Sequence, residues 1–115
     1  MRRPNKYGAK KTTCRAGHTH PSKREANRCD QLHLLERAGE IESLEQQPRF
    51  TFTVNGVELR HDNGRRAVYT ADFRYIDRLS GSPIIEDAKG KAARDWPLRK
   101  ALFRACYPEL TLREV

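Results

Sequence analysis

The 115 residues are 37% hydrophobic and 33% charged, enough for one domain with a small core and a heavily charged surface. No apolar run approaches the roughly 18 residues of a membrane helix, and Arg2 and Arg3 lead into polar residues rather than an apolar leader, so a cytoplasmic protein that avoids the membrane is expected. The cysteines are odd in number (Cys14, Cys29, Cys106), which argues against a secreted disulfide framework, and the net charge of +8 points toward a polyanionic partner.

Residues 1–12 read as a flexible basic arm, without apolar periodicity, ahead of a single domain at 13–115. Residues 12–20 fit a short hairpin turning at Arg15-Ala16-Gly17. Ser22 followed by Glu25 is a capping-box pattern. Ala26, Cys29, Leu32, Leu35 and Ala38 then form a helical apolar stripe that stops at Gly39. Residues 41–48 read as a connection. Residues 49–54 alternate as a strand, and Asn55-Gly56 predicts a tight turn into 57–60. Residues 61–66 are a polar loop.

Two further strands follow, YTADFRYID with Asp72 and IIEDAKG with Asp87 and Lys89, separated by the turn signal LSGSP. Side chains alternate faces along a strand, so Asp87 and Lys89 point the same way and Glu86 the other. In a hairpin with an even loop centred on Leu79 and Ser80, Asp72 stands opposite Asp87. Facing carboxylates destabilise a sheet unless a cation sits between them, and Mg²⁺ is held by one or two carboxylates plus phosphate. Read plainly, Asp87 and Lys89 are an exposed strand pair worth little.

Asp95 is placed to cap a second helix with Pro97 in its first turn. Leu98, Ala101, Leu102 and Ala105 would face the core, with Lys100 and Arg104 on an exposed stripe. Trp96 and Tyr107 read as core or rim aromatics. Residues 110–115 alternate as a last strand. The expected fold is mixed α/β: a small central sheet flanked by helices, in the order α-β-β-β-α-β.

Two basic clusters flank the acid–lysine patch. The first runs through Arg2, Arg3, Lys6, Lys10 and Lys11. The second comprises Lys89, Lys91, Arg94, Arg99, Lys100 and Arg104. These are the candidate contacts to a nucleic-acid backbone, the plainer alternative being a merely basic surface. A separate set, Cys14, His18, His20 and Cys29, supplies two thiols and two imidazoles, the ligand types of tetrahedral zinc at a non-standard spacing. Its alternative is a satisfied histidine pair with small buried cysteines. His33, His61 and Cys106 look unconnected to it.

The order D…D-x-K, after a helix carrying S-x-x-E and before a basic helix, resembles the PD-(D/E)XK nuclease superfamily. NKYGAKKT, HPSKREA, LLERAGEIESLEQQPRF, YTADFRYID, IIEDAKG and YPELTLREV resemble a family of small phage-encoded endonuclease-like proteins. More distantly, the chain is similar to transposon end-cutting nucleases and Holliday junction resolvases. The resemblance implies a restriction-endonuclease-like core and metal-dependent DNA cleavage, with branched DNA among the candidate substrates, in a host cytoplasm. Asp72 and Asp87 would hold Mg²⁺ or Mn²⁺ with the Ala88 carbonyl. Lys89 would assist the attacking hydroxide, and Glu25 would serve as a further ligand or only as a helix cap. A homodimer is plausible because related resolvases pair up to cut both strands. The competing function is a non-catalytic nucleic-acid-binding module, with Zn²⁺ as its candidate stabiliser.

Overall fold

Ser22 opens the first helix, α1 (Lys23–Arg37), and its Oγ accepts the Glu25 N–H at 3.2 Å. The helix ends through Ala38 into Gly39, whose φ of +78° only glycine adopts readily. Before α1, β1 (Thr12–Thr13) and β2 (Thr19–His20) form the short hairpin expected from the turn residues, with Gly17 at φ +89°. Thr12 therefore belongs to the folded unit rather than to the arm. The computed structural model describes residues 11–20, 22–88 and 94–115.

The central sheet has four strands in the order β10-β9-β8-β3: β3 is Ile41–Gln46, β8 Phe73–Asp77, β9 Pro83–Asp87 and β10 Thr111–Glu114. The β3–β8 and β8–β9 pairs are antiparallel, and β10 runs parallel to β9. A parallel neighbour needs a long crossover, and α2 (Trp96–Cys106) lies between β9 and β10. The fold is a small mixed α/β arrangement.

The remaining strands are short. β4 (Arg49–Thr51) pairs with β7 (Val68–Thr70), and β5 (Thr53–Val54) pairs with β6 (Val57–Glu58) across Asn55-Gly56. Both turn residues have positive φ, as a two-residue hairpin requires.

Three expectations need correction. Residues 41–48 are not a plain connection, because Ile41–Gln46 is an edge strand of the central sheet. Its register shifts between Glu42 and Glu45, and Ser43 takes φ +58°. That bulge breaks the two-residue alternation by which a strand is recognised. Conversely, residues 49–54 stay out of the central sheet, and YTADFRYID is two strands that part at Ala71–Asp72. Finally, α2 is rotated from its expected face. Trp96 and Phe103 are buried, two turns apart, while Leu98, Ala101 and Ala105 are exposed. Large aromatic surfaces outcompete Leu and Ala for the core.

Two cores result, one on each face of the sheet. Ala26, Cys29 and Leu32 of α1 pack with Phe73, Tyr75, Ile41 and Ile84. Ile85, one residue on, points the other way, toward Phe50, Phe52, Tyr69, Trp96 and Phe103. The alternation at Ile84 and Ile85 continues to Glu86 and Asp87, sending those two acids to opposite faces.

Candidate metal and nucleic-acid sites

Phe73 stands opposite Glu86 and Tyr75 opposite Ile84, so the register places Asp72 against Asp87 as the even turn requires. Asp72 N–H donates to the Glu86 carbonyl at 3.0 Å, just where β8 begins. Its carboxylate Oδ2 accepts the Ala88 N–H at 2.5 Å. Asp87 is 1% exposed, and its Oδ2 accepts from the Tyr69 hydroxyl. Burial, then the hydrogen bond and charge of Asp87, hold that phenol far above its ordinary pKa, so it stays a donor.

The carboxyl of Asp72 is pushed up to about 8. Burial is the main cause and the charge of Asp87 the next; the Ala88 N–H opposes them, and Glu25 adds a second negative neighbour. This is an oxygen-rich locus with its own charge in excess, the electrostatic setting a hard divalent cation relieves. Lys89 lies outside the described residues.

Glu86, on the opposite face, is fully buried and fully answered. Arg28 from α1 donates Nε–H and Nη2–H to its two oxygens at 2.7 and 2.6 Å, and the Tyr75 hydroxyl donates as well. Glu86 is therefore a structural acid, in keeping with its expected direction away from Asp87.

The thiols and imidazoles converge more tightly. One ligand atom from each of Cys14, His18, His20 and Cys29 lies within 4.8 Å of all the others. Among the described residues, this is the set of three or more potential ligands that gathers so closely. Cys14 N–H donates to the His18 carbonyl at 2.9 Å, closing the turn that brings both side chains to α1. Asp30 of α1 accepts the Arg15 N–H at 2.8 Å and fixes the turn against the helix. The cluster can hold a metal ion. Burial raises both thiols, but at Cys14 the neighbouring His20 imidazole and Cys29 thiol prevail and bring it to about 6; Cys29, more deeply set and beside Cys14, is pushed up to about 12.

Glu25 is not simply a cap. It is 2% exposed, and its Oε1 lies 3.1 Å from His20 Nδ1. Sequence spacing could not show this contact, because it depends on how β2 meets α1. His33, expected to be unconnected, stacks on His18 with ring centroids 5.6 Å apart.

Arg2, Arg3, Lys6, Lys10 and Lys91 lie outside the described residues. Lys11, Arg94 and Arg104 are exposed. Arg99 is bound to Asp95 at 2.7 Å, and Lys100 lies 3.3 Å from Glu114, so both carry intramolecular partners. Asp95 makes this ion pair instead of a side-chain cap. A cleft of about 460 Å³ beside Ala88 is lined by Lys23, Arg24, Asn27, Arg28 and Gln31 of α1. Four-residue helical spacing places Lys23, Asn27 and Gln31 on one face of α1, the sequence signal by which this cleft could be found. Arg49, Arg65 and Arg66 line a second cleft of about 690 Å³ with His61 and Asp62, where the sequence showed only a polar loop.

No helix among the described residues is long and apolar enough to cross a membrane. No curated protein and no solved structure matches the chain. Residues 4–115 match the family described as "Protein of unknown function (DUF1064)", and with nearly its whole length covered the chain belongs to that family.

Proposed function

We propose that the protein is a metal-dependent DNA endonuclease of the PD-(D/E)XK type, working in the cytoplasm. The observation that carries this reading is the pairing of Asp72 with the buried Asp87, where burial first and the charge of Asp87 second raise the Asp72 carboxyl to about 8. Mg²⁺ or Mn²⁺ suits that oxygen set, and such an ion lowers the pKa of water and offsets charge at a leaving oxygen. Asp72 and Asp87 would hold it with the Ala88 carbonyl. Tyr69 and the Ala88 N–H fix the two carboxylates in place, so no rotamer search precedes ion binding. Lys89 would orient the attacking water or stabilise the charge developing on phosphorus. Glu25 stands near enough to act on Asp72 electrostatically, but its mapped hydrogen bond is to His20. The basic cleft on α1 opens beside Ala88 and suits a phosphate backbone led past the acids. Cleavage of both strands would call for a homodimer, and branched DNA is a candidate substrate.

A second reading is a non-catalytic nucleic-acid-binding module stabilised by Zn²⁺. It is favoured by one observation: one ligand atom from each of Cys14, His18, His20 and Cys29 gathers within 4.8 Å of the others. Cleavage of supercoiled, linear, single-stranded and four-way-junction DNA with and without Mg²⁺ separates the two. The nuclease reading expects Mg²⁺-dependent cutting that falls at least about a hundredfold in Asp87→Ala and Lys89→Ala, with DNA binding retained. Equal cutting by the variants, or none by the parent on any substrate, defeats it.

A further inference from the structure

We propose that Cys14, His18, His20 and Cys29 bind Zn²⁺ in a closed structural site, with Glu25 orienting His20 as a ligand. This stands apart from the nuclease reading and does not need it.

The first support is the shape of the set. Zinc bonds of about 2.3 Å to sulfur and 2.0–2.1 Å to nitrogen, at tetrahedral angles, put sulfur and nitrogen about 3.6 Å apart. His18 Nδ1 lies 3.6 Å from Cys14 Sγ and 3.6 Å from Cys29 Sγ. These are two edges of that tetrahedron.

The second support is an orphaned atom. His20 is 2% exposed, and its Nε2 is buried without a hydrogen-bond partner. Its other nitrogen, Nδ1, is engaged by Glu25. A carboxylate on one imidazole nitrogen fixes the tautomer and leaves the opposite nitrogen's lone pair for a metal, the usual outer arrangement around a histidine ligand. His20 would thus ligate through Nε2 and His18 through Nδ1.

The third is position. Two thiols and two imidazoles complete a coordination sphere of four, leaving no place for substrate, so the site is structural. The ion would tie the β1–β2 hairpin to α1. Gln46 closes the site from β3, its Oε1 3.7 Å from Cys29 Sγ.

The test uses the full chain. Metal analysis of the purified protein is expected to find close to one zinc per chain. Co²⁺ added to the metal-stripped protein is expected to give the visible bands of a tetrahedral ion together with thiolate-to-cobalt charge transfer. Both measurements are made on the parent and do not depend on a variant folding. Glu25→Ala should weaken Zn²⁺ binding roughly 10–100-fold in a chelator competition, and Glu25→Gln, which keeps an acceptor oxygen, should weaken it less. A six-coordinate cobalt spectrum without charge transfer, a Cys14–Cys29 disulfide in the native protein, or unchanged affinity in Glu25→Ala would overturn the proposal. Zinc at full occupancy supports the proposal whether or not the same preparation cuts DNA, so failure of either reading is visible separately.

Discussion

Glu86 and Asp87 are neighbours on one strand, both almost wholly buried, yet their surroundings are opposites. On the α1 face, Glu86 meets a guanidinium through two short hydrogen bonds and a tyrosine hydroxyl. On the other face, Asp87 stands across from Asp72, with Glu25 also near enough to act on Asp72. A buried carboxylate paired in this way with arginine completes the folded structure and asks for nothing more. An acid such as Asp72, raised by burial and by a carboxylate beside it, is instead held in a state that another charge would improve, a pattern more common at functional sites than in scaffolding. The difference between two adjacent residues is thus the difference between a completed ion pair and a candidate site.

The largest effect is expected from breaking the compensated face. Arg28→Met leaves Glu86 buried without its cation and should lower stability by about 3 kcal/mol, the low end for such losses because Arg28 is partly exposed. Replacing Arg28, Glu86 and Tyr75 together by apolar residues should recover most of that loss in a denaturant titration. If Arg28→Met alone is neutral, the contrast between the two faces fails.

A smaller effect, opposite in sense, sharpens the other side. A carboxyl at about 8 in the folded chain, against 3.8 ordinarily, binds its proton more tightly when folded. That contribution to stability is complete below about pH 4 and is lost as pH rises toward 8. Metal-free parent protein should therefore lose stability relative to Asp72→Asn across that window, as read from melting temperatures at matched ionic strength. Added Mg²⁺ should narrow the gap at the alkaline end for the parent only. A gap that stays flat with pH would remove the electrostatic argument for the acid pair.

The smallest effect belongs to the exposed surface. Arg99 and Asp95 form an i,i+4 ion pair on α2, and both side chains are substantially exposed. Arg99→Ala should change stability by no more than about 0.5 kcal/mol. If Arg99 also touches DNA, the same variant should reduce the salt dependence of binding.

The acid pair was legible in the sequence because a tight even turn fixes register, and register fixes which side chains face one another. The helix around Glu25 was legible because capping is local. The edge strand at Ile41–Gln46 was not, since the positive φ at Ser43 and the register shift scramble the alternation a reader looks for. On α2, Trp96 and Leu102 were legible as core residues, but the regular Leu and Ala run hides Phe103, two turns from Trp96, which turns Leu98, Ala101 and Ala105 outward. The Cys/His cluster was visible by ligand type alone. Its link to Glu25 and the stacking of His33 on His18 needed the packing of β2 against α1.

The paired tyrosines have a consequence for how the chain tolerates insertions and deletions. Tyr75 serves Glu86 on one side of the ribbon and Tyr69 serves Asp87 on the other. Sliding β9 by a single position would hand each phenol the wrong partner, strand Arg28 and turn Ile84 and Ile85 inside out at the same time. A residue gained or lost near Leu79, which is 96% exposed, is therefore admissible only if the loop bulges to absorb it. Length changes that propagate into the ribbon should be rejected as whole-domain misfolding rather than as mild loss of activity.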